Sequence, residues 1–329
     1  MTARQPAEWM PHKATWTAFP SHAELWEDDL APAQAEVAAM VRAIASGERV
    51  ELLVANDTAL ATAREMLAGA DVGFHLYNFG DIWLRDTGPL FMTSPVGQAA
   101  ASFRFNGWGG KYDLPGDNGV AAFVAHAAGI PLAPHGWVLE GGAIDVDGSG
   151  LAVTTEQCLL NPNRNPRMDM TEIESHLRRD LGIEDVLWLG DGLANDHTDG
   201  HVDNLARFVA PRTLALPEPT RDDPNRAVLI DARDRARDFG LELVMIPSAG
   251  RVERDGELVP ASHMNFYIAN SVVVVPTYGV PSDDAAVAAI AACFPTRRTI
   301  GLRADHILTG GGSFHCITQQ QPQQQPSRA

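Results

Sequence analysis

Residues 310–322 read GGGSFHCITQQQP, and the chemistry this chain can do starts with the thiol in that run. Three successive glycines, Gly310, Gly311 and Gly312, let backbone approach backbone or a ligand closely and admit positive φ. Cys316 at the lip of such a loop is placed as a nucleophile, reachable and near hydrogen-bond donors; a core cysteine is the structural alternative. Asp86, within DIWLRDTGP at 81–89, is either a turn former or a carboxylate whose two oxygens match two N–H groups of a planar cation. Trp83 is available to stack on that cation. Glu140, ahead of Gly141 and Gly142, is either a surface acid or a buried, paired one. In TDGHVDN at 198–204, extended backbone puts His201 and Asp203 on one side. Imidazole gives and takes a proton near neutral pH, although a hydrogen-bonded structural histidine fits the same pattern. His197 and His201 are spaced i, i+4, so with Asp199, Asp203 or Asp191 they also read as metal ligands on a helix. Gly200 between them disfavours that helix. Cys158 and Cys293 lie in apolar runs and read as core residues.

The elements that must position these groups repeat as a helix followed by a short strand. Periodicity predicts helices over 31–46, 58–68, 120–128, 172–181, 226–239 and 284–294. Their strands fall at 49–54, 72–77, 130–139, 186–189, 241–246 and 298–302. Further strands are predicted at 100–105, 205–209 and 272–275, the last ended by Pro276. Thr171 and Glu174 read as a capping box, and Gly182 and Gly240 as left-handed helix terminators. The class is α/β. The polar candidates come just after strands: Asp81 and Asp86 after 72–77, Glu140 after 130–139, residues 191–203 after 186–189, and Cys316 downstream of 298–302. If the units surround a pseudo-rotation axis, those loops meet at one end of it.

Composition narrows the partners. With 329 residues, 45% of them hydrophobic, the chain can bury a sizeable core, and no linker-like shift divides it. One domain over 1–322 is expected. The Gln/Pro-rich end cannot bury apolar surface, so 323–329 is expected to be disordered. A net charge of −17 opposes contact with nucleic acid or an acidic membrane surface and favours a small cation; it also serves solubility alone. Three dispersed cysteines suggest neither a disulfide framework nor a zinc knuckle. The first residues lack an apolar signal core and no apolar run is long enough to span a bilayer, so a soluble cytoplasmic protein is expected. Nothing in the pattern selects between monomer and homo-oligomer.

The run at 310–322 closely resembles the carboxy-terminal motif of the agmatine deiminase family. Other blocks of that family are matched in order by PAEWMPHKATW (6–16), DIWLRDTGP (81–89), FNGWGGKY (105–112), LEGGAID (139–145), NPNRNP (161–166), TDGHVDNLARF (198–208) and NFYIAN (265–270). Together they cover essentially the whole chain. The resemblance implies the five-bladed α/β propeller (pentein) fold and hydrolysis of a guanidine to a ureido group and ammonia, without a cofactor or metal. Carried onto matching positions, it makes Cys316 the nucleophile, His201 the proton shuttle, Glu140 its hydrogen-bonding partner, and Asp86 and Asp203 the guanidinium contacts. The chain departs from the family at Ser262-His263-Met264, at His197 where an acid usually precedes Thr198, and at Ser313-Phe314. Those positions bear on the far end of the substrate. The rival from another class is a metal-dependent hydrolase built on His197, His201 and Asp203.

Overall fold

The computed structural model describes residues 3–324. Five sheets share one strand grammar: an antiparallel pair, a helical crossover, and a third strand parallel to the second. Leu90–Ser94, Gly97–Arg104 and Leu132–Val138 form one such sheet, and Ile144–Val146, Leu151–Thr155 and Asp185–Leu189 the next. Arg207–Ala210, Thr213–Glu218 and Glu242–Pro247 follow, then Tyr267–Ile268, Val272–Thr277 and Arg298–Arg303. The remaining sheet joins the two ends of the chain, because Thr318–Pro322 pairs antiparallel with His12–Ala18. Arg49–Val54 and Val72–Leu76 extend it in parallel. The hairpin Glu253–Arg254 with Glu257–Leu258 stands apart. This is a mixed α/β, single-domain fold.

Local sequence explains the elements. Helix Leu30–Ile44 buries Ala33, Val37, Met40, Val41 and Ile44, the three-and-four spacing of an apolar helical stripe. Each large side chain so buried contributes roughly 1.5–3 kcal/mol. Strands such as Val272–Thr277 and Leu151–Thr155 are buried along their whole length, as expected where helices cover one face and neighbouring units the other.

Three local expectations are corrected. The capping box of helix Met170–Leu181 is Asp169 with Glu172, not Thr171 with Glu174; Glu172 N donates to Asp169 Oδ1 and Asp169 N to Glu172 Oε2, each at 2.9 Å. Gly182 does terminate that helix in the left-handed region (φ 68°). Pro276 does not end its strand, which runs on to Thr277. The antiparallel partner pairs only with Val273 and Val274, so the missing N–H interrupts no ladder on that side. At the C-terminus, Gln319, Gln320 and Gln321 are buried in a paired strand, and Gln323 N donates to Pro11 O at 2.8 Å. Order therefore continues past Pro322 as far as Gln324, the last described residue. The rest of the expected disordered tail, 325–329, lies outside the described residues. No helix among the described residues is long and apolar enough to cross a membrane.

Candidate active site

In each of the five sheets, the loop after a parallel strand carries a residue of one cluster. Asp86 follows Val72–Leu76, Glu140 follows Leu132–Val138, and His201 and Asp203 follow Asp185–Leu189. Asn265 follows Glu242–Pro247 and Cys316 follows Arg298–Arg303. Sequence reasoning expected four of these loops to converge. It missed the fourth unit's, although that unit repeats the same grammar.

Cys316 is buried, 5% exposed, and forms part of the wall of a cavity of about 380 Å³. Asn265 Nδ2 donates to its sulfur at 3.0 Å, and the thiol donates to Asp203 Oδ2 at 3.5 Å. The Asn265 amide cannot be reversed, because its oxygen accepts from His315 N at 3.0 Å and Cys316 N at 3.2 Å while Nδ2 also donates to Asn204 Oδ1 at 2.9 Å. Burial pushes the thiol well above its ordinary pKa, and the Asp203 and Asp86 carboxylates push it further. Without a bound cation this sulfur is a thiol.

The glycine run is a packing device. A methyl on Gly312 would stand 2.6 Å from the Trp83 ring and 3.1 Å from Cys316 Sγ, one on Gly310 would stand 2.6 Å from Trp83, and Gly311 has φ +103°. Trp83 is thus wedged between this loop and the cavity, its indole N–H donating to Asp81 Oδ2 at 2.7 Å.

Asp86 accepts from Gly142 N and from Trp108 Nε1, both at 2.9 Å, and lies 3.8 Å from His201 Nδ1. Trp108 itself has φ 53° within Gly107–Gly110, a strained setting for a bulky residue. The GWGG run was recognised only as a sequence block; its function as a holder of Asp86 was not foreseen. Gly142 is the hub: a methyl there would meet His201 Nδ1, Asp86 Oδ1 and Asp203 Oδ2 at 2.6, 3.0 and 3.1 Å.

His201 and Asp203 converge, but not through strand alternation. Val202–Asn204 is a single 3₁₀ turn, and the loop before it is held by Thr198 Oγ1, which accepts from His201 N at 3.1 Å. Burial alone would lower the His201 pKa; Asp86, Cys158 and Glu140 outweigh it and hold the ring well above its ordinary value. Glu140 is fully buried, yet its hydrogen bond goes to Arg164 Nε at 2.8 Å rather than to His201. It acts on His201 through charge. Arg164, from the NPNRNP block, also donates to Thr198 O at 2.7 Å and pairs with Asp199, tying Glu140 to the His201 loop. Cys158 is fully buried in an apolar cluster as expected, and its sulfur, the Glu140 carboxylate and a His201 nitrogen all lie within 4.8 Å of one another. Cys293 is half-buried on its helix.

The metal reading is not supported by position. His197 sits at the cavity mouth against Tyr112, whose hydroxyl is 3.1 Å from His197 Nδ1. The 197–201 stretch is a turn, and His197 joins no three-ligand group among the described residues. Of the departures from the family pattern, His197 reaches the cavity. His263 instead faces Pro276 O at 3.0 Å.

The cavity wall carries Glu27, Asp28, Asp29, Asp81 and Asp86 but, among the described residues, no lysine or arginine. Arg85 is committed to Glu8 and Gln320, and Arg303 to Asp305. An acidic pocket with a thiol in its wall, Asp203 against the sulfur, and Asp86 and His201 meeting Asp203 around Gly142, is suited to holding a planar cation against a nucleophile.

Residues 4–322 match the family model of the Porphyromonas-type peptidyl-arginine deiminases. The chain belongs to this family. It is 38% identical to the agmatine deiminase of Stutzerimonas stutzeri (strain A1501), covering 96% of this chain and 95% of that one. To the agmatine deiminase of Pseudomonas aeruginosa (strain LESB58) it is 36% identical, over 97% and 95%. Agmatine deiminase of Enterococcus faecalis superposes with a TM-score of 0.93 at 30% identity, covering 98% of this chain and 96% of that one. A Cys-to-Ser variant of C. jejuni agmatine deiminase with substrate bound superposes with a TM-score of 0.91 at 25% identity, over 98% and 97%. The candidate site described above therefore sits in a fold shared along nearly its full length with these enzymes.

Proposed function

We propose that this protein is an agmatine deiminase, hydrolysing the guanidinium of agmatine to N-carbamoylputrescine and ammonia through a covalent bond to Cys316. The observation that carries this reading is the acidic cavity without lysine or arginine that ends at Cys316. Agmatine brings two cationic ends and no carboxylate, so this wall favours both. Free arginine would place a carboxylate among acids, a misplacement costing on the order of a few kcal/mol where desolvated.

Asp86 and Asp203 hold the guanidinium nitrogens and fix the carbon in front of the sulfur, with Trp83 as the stacking wall. The bound cation offsets the two carboxylates that keep the thiol protonated, so ionisation of Cys316 follows substrate binding. Asn265 supplies an N–H to the sulfur as it becomes a thiolate. Attack forms a C–S bond and a tetrahedral adduct. His201, kept protonated by Asp86 and Glu140, gives its proton to the departing nitrogen; the C–N bond breaks and ammonia leaves. The now neutral His201 takes a proton from water and hydroxide adds to the thiouronium carbon; C–S cleavage then expels the thiolate, the hydroxyl proton passes to it, and the neutral ureido product leaves with Cys316 a thiol again. No step asks for a cofactor.

The five repeated units read as blades of a five-bladed propeller. Support comes from the shared strand grammar and from the convergence of five equivalent loops. The chemistry calls for no other partner than a small guanidine.

A substrate panel tests the reading: agmatine, free arginine, a blocked peptidyl arginine and a methylated arginine, scored for ureido product. The highest kcat/KM is expected for agmatine. A value for arginine or the peptide equal to or above it overturns the substrate assignment.

A further inference from the structure

We propose that His315 is a positioning residue of the reaction, standing between Asp203 and Glu8 so that one oxygen of Asp203 is committed to the imidazole and the other is left for the guanidinium. This rests on the reading of Asp203 as a guanidinium contact. His315 Nδ1 lies 2.7 Å from Asp203 Oδ2 and Nε2 lies 2.9 Å from Glu8 Oε2. All three side chains are buried.

Ionised carboxylates only accept hydrogen bonds and a neutral imidazole has a single N–H. Both contacts are hydrogen bonds only if the ring carries two protons or one carboxyl carries one. The surroundings decide between these. Glu8 meets Arg85 at 3.3 Å and Arg207 at 2.9 Å and accepts from Ile268 N at 2.8 Å, while Arg207 meets Asp145 at 3.0 Å. In the cluster as a whole five buried carboxylates, Glu8, Asp86, Glu140, Asp145 and Asp203, face three guanidiniums, Arg85, Arg164 and Arg207, and the His201 imidazolium, and the imbalance of one disappears when His315 carries both ring protons. A buried uncompensated charge is among the costliest things a core can hold.

The consequence falls on Asp203. Asp203 is fully buried, the Cys316 thiol reaches its Oδ2 from the cavity wall, and Asp86 and His201 meet it around Gly142. Its Oδ2 is fixed by His315, whereas its buried Oδ1 has no hydrogen-bond partner among the described residues. An unsatisfied buried carboxylate oxygen is expensive; a substrate N–H is the group that would satisfy it. The ring cannot swing away, because it is buried and held at both nitrogens. Burial would raise the Asp203 pKa, but the bond and charge of His315 bring it below the ordinary value. Removing His315 therefore raises that pKa, and less of the enzyme carries ionised Asp203 at acid pH.

The test compares His315→Ala, His315→Gln and Glu8→Gln with wild type, each checked for folding by thermal melting, in kcat/KM for agmatine against pH. His315→Ala should lose roughly ten-fold or more at neutral pH, with the acid limb moved up by about one pH unit or more. His315→Gln, which keeps one N–H donor, should recover part of both effects, and Glu8→Gln should move the limb in the same direction by less. Folded variants with an unmoved acid limb overturn the proposal, whatever their uniform loss. If His315→Ala does not fold, the other two variants decide, together with ¹⁵N spectra of histidine-labelled wild type. Two protonated ring nitrogens on His315 at the pH optimum are expected, and a single one contradicts the assignment. Asp203→Asn separates the layers. If it keeps wild-type kcat/KM, the guanidinium reading fails; if it is inactive while the His315 and Glu8 limbs stay put, only the positioning proposal fails.

Discussion

Replacing Asp86 with asparagine removes one negative charge at the point where three functions meet. In wild type both oxygens accept, one from Gly142 N and one from Trp108 Nε1, each at 2.9 Å, and His201 Nδ1 is 3.8 Å away. An asparagine can keep one acceptor, but its NH₂ must then face an N–H of Gly142 or Trp108. That leaves a buried donor unsatisfied at a cost of about 1–3 kcal/mol. Loss of a charged contact to the guanidinium costs a further ~1.5–3 kcal/mol. Since ~1.4 kcal/mol is ten-fold, kcat/KM for agmatine should fall at least ten-fold from the contact alone. A second signature is independent of the size of that loss. Asp86 is the largest influence raising the His201 pKa against burial, so in Asp86→Asn the imidazolium deprotonates at lower pH. The basic limb of kcat should move down with it. Ammonia release measured across pH, with thermal melting as a folding control, gives both numbers. An Asp86→Asn enzyme within two-fold of wild type in kcat/KM, with an unmoved basic limb, refutes the reasoning and leaves Asp86 a turn former.

Gly312→Ala should lose ten-fold or more in kcat/KM and melt a few degrees lower. The added methyl meets a Trp83 ring pinned by Asp81, and overpacking of this kind costs about 1–3 kcal/mol; wild-type kinetics would remove the wedge from the account. Burial pushes Asp81 up to about 6, so KM for agmatine should fall as pH rises from about 5 to about 7 and the cavity wall gains a charge, and Asp81→Asn should flatten that dependence. For stability the sign reverses. The folded state holds this proton more tightly than the unfolded chain, so stability should fall from about pH 4 to about pH 6, and Asp81→Asn should remove part of the slope in denaturant titrations.

Much of this was legible in the sequence, and the rest was hidden for physical reasons. Periodicity located the helices, short apolar runs located the parallel strands, and the position of polar residues after strands anticipated the meeting of Asp86, Glu140, His201, Asp203 and Cys316. The route by which His201 and Asp203 meet was misread, since a 3₁₀ turn after a Thr198-anchored loop looks in sequence like an extended segment. Asn265, Trp108, His315 and Glu8 all lie in the family blocks quoted above, but a block does not say which of its residues meet in space. Their roles exist only through partners 22 to 307 residues away. Asn265 carries a second signal, because its repeat unit has no other site candidate in the equivalent loop. Glu140 was assigned a bond to His201 that goes to Arg164, and sequence offered no means to choose between the two.

The central claim is the covalent role of Cys316, and mass spectrometry of acid-quenched enzyme during agmatine turnover tests it most directly. The account predicts an adduct equal to agmatine less ammonia on the peptide containing Cys316, absent from Cys316→Ser, which should be inactive, while Cys158→Ser and Cys293→Ser keep most of the activity and still form the adduct. Turnover with no adduct on Cys316, or a Cys316→Ser enzyme that releases ammonia at near wild-type rate, would contradict it.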